Sequence, residues 1–322
     1  MNFNNSIIIV AGEPNSVFLE IFFKSLKKLK TKKPLVLIAS HKLVKLQMVK
    51  LKFKKKIKIL NFKYLDGLIL DNKHINLINV NYNTSKAFEN ISSKSNKYIT
   101  KCFETAFKII KKTKVKRLIS GPISKKTFLK KKYLGLTEYI SKKFNVKESA
   151  MLIYNKNLSV CPLTTHLPLK NVTKNINKKN IIKKVKLIDN FYKTMFRKRP
   201  KIAVLGLNPH CESVDKFNED EKILKPAVKF LNKRKYNVSG PFPADTIFLK
   251  KNRKKFDVIL GMYHDQVLTP IKTLYEYDAI NITLGLPFIK ISPDHGPNKK
   301  MLGKNKSNPL SLMNAISFLE KH

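Results

Sequence analysis

Residues 257–266 read DVILGMYHDQ, an apolar run that stops at a histidine, His264. The same pattern recurs in KIAVLGLNPH (201–210), which closes at His210, and in SVCPLTTHLPL (159–169), which contains His166. Apolar runs of this length bounded by turn residues read as buried strands, so the sequence predicts three strands that each end in an imidazole. One such histidine by itself is more simply a strand cap. Three together point to a metal site, because neutral imidazole is the commonest ligand for zinc-like ions, and three ligands with one position open is a catalytic arrangement.

Outward from these runs, further strand-like stretches are SIIIVAG (6–12), PLVLIAS (34–40), INLINV (75–80), RLISG (117–121), AMLIYN (150–155) and AINITLGL (279–286). Amphipathic stretches separate them. In 95–113, Tyr98, Cys102, Phe103, Ala106, Phe107 and Ile110 recur at helical spacing. Alternation of this kind predicts an α/β fold with helices covering a largely parallel sheet, whose ligands bind beyond the carboxyl ends of the strands. The turn after the first strand reads AGEPNSVFLE and lacks G-x-G-x-x-G, so the scaffold is expected to be non-Rossmann.

The 322 residues carry a formal charge of +45, almost wholly from lysine; Arg117, Arg197, Arg199, Arg234 and Arg253 are the only arginines. The lysines lie in short runs along the whole chain, with no arginine-and-aromatic interleaving, which argues against a specific nucleic-acid surface. Their expected effect is attraction for phosphorylated substrates. No run reaches the roughly 18 apolar residues of a membrane span. The start lacks a basic segment before its apolar run and reads as a first strand, not a signal peptide. Cys102, Cys161 and Cys211 are too few and scattered for a disulfide framework, and a cytoplasmic setting is expected.

Other segments carry weaker signals. In SGPISKKTFL (120–129) a Gly-Pro turn precedes a helix start expected to be capped by Ser124, with Lys125 and Lys126 adding charge for an anion. Thr137 and Glu138 read as a second helix opening. Asp245 lies in a proline-stiffened loop, SGPFPADTIF, from which it could act as a base; Asp265 and Gln266 flank His264, where hydrogen bonds that orient the ligand are expected.

In order, GPISK (121–125), LTE (136–138), TTHLPL (164–169), GLNPH (206–210), GPFPADT (240–246), MYHDQ (262–266), NITLGLP (281–287) and SPDHG (292–296) closely resemble the 4-hydroxythreonine-4-phosphate dehydrogenase (PdxA) family. The resemblance implies a two-domain α/β fold like that of isocitrate and isopropylmalate dehydrogenases, with an active-site cleft between the domains. The cofactor-side domain would comprise 1–120 and 275–322, and the metal, substrate and dimerisation domain 121–274. It implies a homodimer whose active site is shared between subunits and a divalent metal (zinc, cobalt or magnesium) on His166, His210 and His264. It further implies substrate contacts from Thr137, Lys272, Asn281 and Lys290, the last at a position the family fills with arginine. NAD or NADP is the implied oxidant, with His295, Gly296 and Asn308 on the cofactor side. Asp245 or Asp265 is the expected proton acceptor. The implied activity is oxidation of 4-phosphohydroxy-L-threonine at C3, for pyridoxal 5'-phosphate synthesis.

Three segments depart from the family pattern. The first loop has GEPNSV in place of GDPAGIGPE; Leu136 replaces a histidine that touches the substrate phosphate; and PNKKMLGKNKSNP (297–309) puts Lys300 where an aspartate is expected. Leu136 makes another phosphorylated four-carbon hydroxy acid the alternative substrate, and a non-catalytic ligand-binding descendant is the alternative class. The lysines at 299, 300, 304 and 306 are expected to favour NADP.

Overall fold

The structure is a computed structural model that describes residues 1–65, 67–129, 133 and 135–322, with Lys125 described in its backbone alone. Among the described residues, twelve strands form in chain order. They are β1 (Ile7–Val10), β2 (Leu35–Ala39), β3 (Ile57–Ile59), β4 (Ile75–Asn79), β5 (Arg117–Ser120), β6 (Ala150–Tyr154), β7 (Ser159–Pro162), β8 (Ile202–Leu205), β9 (Val238–Phe242), β10 (Val258–Gly261), β11 (Ile280–Leu284) and β12 (Ile289–Pro293). The chain makes two compact units, Met1–Tyr133 with Pro287–His322, and Leu134–Leu286.

In the first unit the strand order is β3-β4-β2-β1-β5-β12, and every pairing is parallel. β1 lies between β2 and β5, with Ile8 opposite both Val36 and Leu118. Strands covered on both faces need apolar side chains at every position, which is why IIIV and LVLIA lack polar alternation and are buried throughout. The helix Asn96–Lys112 matches the expected amphipathic stretch and buries Tyr98, Ile99, Cys102, Phe103, Ala106 and Phe107.

The second unit has the order β11-β6-β7-β10-β8-β9. β6 is antiparallel to both neighbours, whereas β7, β10, β8 and β9 run parallel. Ile259, Val160, Ala203, Val267 and Ile271 form part of one buried cluster.

Three strands were not anticipated. β3 is a short edge strand inside a lysine run, with Ile59 55% exposed, and lysines are common on such edges. β9 contains Gly240-Pro241, which reads as a turn, and its edge position is where a strand tolerates proline. β12 carries Lys290 at its second position, buried to 2% exposure, inside a segment expected only to flank a site.

Local expectations are corrected as well. Ser124 does cap the segment after it, its hydroxyl accepting from the Thr127 N–H at 3.4 Å, but that segment is only a five-residue π-type turn, Lys125–Leu129; the Lys125 side chain is outside the described residues. Asp245 sits in a one-turn helix, Ala244–Ile247, and not in a loop, because the chain after Pro243 already has helical geometry.

Candidate functional site

β7, β10 and β8 are consecutive in the sheet and parallel, so their carboxyl ends lie along one edge. The three histidines follow those ends but are not on the strands, as the sequence had suggested. His166 is four residues beyond Pro162, and His210 lies in the turn Pro209–Cys211, five beyond Leu205. His264, three beyond Gly261, is the first residue of the helix His264–Tyr275. His166 and His210 have left-handed backbones, φ 53° and 55°. Such φ values are uncommon away from glycine and cluster at functional sites.

The His166 and His264 ring centroids are 5.5 Å apart. Two imidazoles on one tetrahedral metal, each about 2.0–2.1 Å from it, would have centroids about 5.3 Å apart, so this pair fits a shared ion. The His264 Nδ1 lies 2.6 Å from Asp265 Oδ1. That hydrogen bond leaves Nε2 as the nitrogen with a lone pair to offer. His210 does not join them: among the described residues, no group of three or more His, Cys, Asp or Glu side chains is placed to hold a metal.

The loops around these residues are tied by buried polar groups. The Gln266 side chain accepts from the Met262 N–H at 2.7 Å and donates to the Gly206 carbonyl at 2.7 Å, joining the β10 and β8 loops. Asp220, fully buried, accepts from the backbone N–H groups of Leu207 and Asn208 and from the Asn208 amide. A Cβ at Gly206 would lie 2.6 Å from Cys211 Sγ and 2.8 Å from Asp220 Oδ1, so only glycine fits there. Sequence reasoning missed Asp220; its one signal was a run of three acidic residues, Glu219-Asp220-Glu221, in a lysine-rich chain. Burial, with Asp220 next, pushes the Cys211 thiol up to about 11, and Asp245 adds to the shift. Asp245, in the helix Ala244–Ile247, has an exposed side chain. Asp265, 80% exposed, is engaged with His264.

Gly135 precedes the helix Leu136–Lys143, and a Cβ there would lie 2.9 Å from Glu138 Oε2 and 3.1 Å from His166 Cε1. Glu138 also accepts from Thr165 Oγ1 at 3.4 Å. Thr137 Oγ1 lies 3.4 Å from Thr283 Oγ1. Thr283 shares a face of β11 with Asn281, whose side-chain oxygen is buried without a hydrogen bond among the described residues. Lys272 is about two turns beyond His264 on the same helix.

In the first unit, Lys290 Nζ donates to Ser292 Oγ at 2.7 Å, and Ser292 Oγ is 2.9 Å from Ser120 Oγ. His295 Nδ1 is 2.9 Å from the Gly296 carbonyl, and Gly296 faces open space. The Asn308 side chain accepts from the Leu310 N–H at 2.9 Å, at the start of the helix Leu310–Lys321. Lys299 and Lys300 lie exposed in the turn Lys299–Met301. Glu13, in the altered first loop, is 1% exposed and accepts from the Asn15 N–H and the Ser95 hydroxyl.

Residues 30–319 match the family described as pyridoxal phosphate biosynthetic protein PdxA. The chain is 39% identical over 322 residues to a 4-hydroxythreonine-4-phosphate dehydrogenase from Sulfurihydrogenibium sp., covering 97% of this chain and 96% of that one. It is 32% identical over 221 residues to a D-threonate 4-phosphate dehydrogenase from Pectobacterium atrosepticum, covering 68% of each. The crystal structure of a 4-hydroxythreonine-4-phosphate dehydrogenase from Klebsiella pneumoniae matches with a TM-score of 0.82 at 26% identity, covering 98% of both chains. An isocitrate dehydrogenase from Methylococcus capsulatus shares the fold at greater distance, with a TM-score of 0.51, 9% identity and coverage of 99% of this chain and 85% of that one. By the extent of the family match and the near full-length identity to its members, the chain belongs to the PdxA family.

Proposed function

We propose that this protein oxidises 4-phosphohydroxy-L-threonine at its C3 hydroxyl with a nicotinamide cofactor, giving a β-keto acid that loses carbon dioxide to form 3-amino-2-oxopropyl phosphate. The observation that carries this reading is the His166–His264 pair at metal-compatible spacing, beside the His210 turn on the next strand in the sheet. His166, His210 and His264 are the proposed metal ligands. Two of the three approach each other within one chain, and a homodimer is the proposed means of completing the set. His166, His210 and His264 would hold a divalent ion, whose chemistry would be Lewis acidity toward the substrate hydroxyl.

The chain's own groups account for the remaining steps. Asp245 or Asp265 would take the hydroxyl proton, and a nicotinamide held near His295, Gly296 and Asn308 would supply the hydride acceptor for C3. Thr137, Lys272, Asn281 and Lys290 are the proposed substrate contacts. The unfilled acceptor of Asn281 suits a substrate N–H or O–H. His295, Gly296 and Asn308 are proposed on the cofactor side. With Lys299, Lys300, Lys304 and Lys306 nearby in sequence, NADP is the proposed preference.

A second reading, oxidation of D-threonate 4-phosphate, is favoured by Leu136 and by the identity to a relative of that name. Incubating the protein with each substrate and each cofactor, with a chelator control, separates the readings. Chelator-sensitive reduction with 4-phosphohydroxythreonine is expected, faster with NADP. Turnover of D-threonate 4-phosphate alone would move the assignment to the second reading, and no reduction with either substrate would refute both.

A further inference from the structure

A cavity of about 540 Å3 lies in the first unit, at the carboxyl ends of β2 and β4. Its lining includes Lys42, Lys94, Lys97 and Lys101 around Tyr82 and Tyr98, with Glu89 as the only carboxylate among the described residues. None of the residues assigned to metal, substrate or cofactor lines it.

In a chain with a charge of +45, a lysine cluster is by default a solvated surface. Three observations set this one apart. First, it is concave, and a cleft lined by one sign of charge focuses the field more than a convex face does. Second, its wall is held by buried side chains. Gln47, fully buried, donates to the Ala87 carbonyl at 2.9 Å, and Asn15 accepts from the Glu89 N–H at 2.8 Å. On the floor, the Tyr82 and Tyr98 rings stand 4.9 Å apart, and Tyr98 Oη accepts from the Ser40 N–H at 3.1 Å. Third, the four ammonium groups make no ion pair among the described residues. A comparison cluster, Lys178, Lys179, Lys183 and Lys186, also lines a cavity, of about 500 Å3, but its lysines are engaged: Lys183 pairs with Glu148 at 2.6 Å and Lys178 lies 4.8 Å from the Phe230 ring centroid.

We propose that this cavity binds an organic phosphate of nucleotide size, with the lysines on the phosphates and the exposed part of the Tyr82 ring against the organic moiety. The volume decides against a lone phosphate ion, since it lies within the roughly 300–1,000 Å3 of small-molecule pockets.

The test is isothermal titration of the full-length protein with ADP at 0.15 M salt, with and without saturating NADP. The triple variant Lys94→Gln, Lys97→Gln, Lys101→Gln is compared with Lys179→Gln, Lys183→Gln, Lys186→Gln, both sets lying on the surface. Saturable one-to-one binding is expected, unchanged by NADP and weakened at least about tenfold in the first triple alone. Absence of saturable binding at this salt, equal weakening in both triples, or displacement of ADP by NADP would each overturn the proposal. Equal weakening would mean diffuse attraction; displacement would mean the cofactor's own site.

Discussion

The imidazoles of His166 and His264 approach to 5.5 Å between ring centroids, although they lie 98 residues apart in the chain. β7 and β10 are hydrogen-bonded neighbours, with Cys161 opposite Leu260, so the loops leaving them emerge side by side. If this pair holds a metal, His166→Ala or His264→Ala should weaken zinc binding by more than the 10–100-fold typical of losing a group that only orients a ligand, as read by competition with a chromogenic chelator. His210→Ala should do the same. Unaltered affinity in all three variants would remove the metal assignment.

Gln266 bridges the Met262 N–H and the Gly206 carbonyl, so its loss orphans two backbone groups at once. Gln266→Leu should lower stability by about 2 kcal/mol or more, since each orphaned buried group costs about 1–3 kcal/mol. Urea unfolding would measure it, and a midpoint equal to wild type would show that water replaces both bonds without cost.

Leu136 opens the helix Leu136–Lys143 beside Thr137 and has no polar atom in its side chain. Leu136→His should raise kcat/KM for 4-phosphohydroxythreonine about tenfold, the worth of one hydrogen bond to a charged group. The gain should appear in steady-state kinetics with that substrate and equally with D-threonate 4-phosphate, because both carry the phosphate such a histidine would contact. No gain on either would mean that position 136 does not reach the phosphate.

Burial raises the Glu13 carboxyl above its usual range, against the lowering effects of the Asn15 N–H, the Ser95 hydroxyl and Lys299. A raised carboxyl pKa means the folded protein holds this proton more tightly than the unfolded chain does. Its stabilising contribution is complete below about pH 4.5 and is lost as pH rises through the folded value. The melting temperature of Glu13→Gln relative to wild type should therefore climb between pH 4 and pH 7. A difference that stays flat or falls would show that the hydrogen bonds outweigh burial.

Much of the strand pattern was legible locally. Runs such as IIIV, LVLIA and VILG contain nothing a helix face or an exposed strand would keep, so apolar content marked them as buried strands. The histidines were visible because each follows such a run. β3, β9 and β12 were hidden because edge position, or burial of one lysine against two serines, decides those strands, and neither is a property of a short window.

The sequence by itself determined the alternation of strand and helix, the identity of the three imidazoles and their places after strands, and the family. These depend on residue type, local period and motif order. Tertiary structure alone decided that β10 lies between β7 and β8. It decided that Asp220 caps the 206–208 turn and that Asp265 engages His264. It also decided that Gln266 joins two loops. Strand order is set by how helices and strands share one buried core, and a polar side chain's partner by which backbone groups that packing leaves unsatisfied.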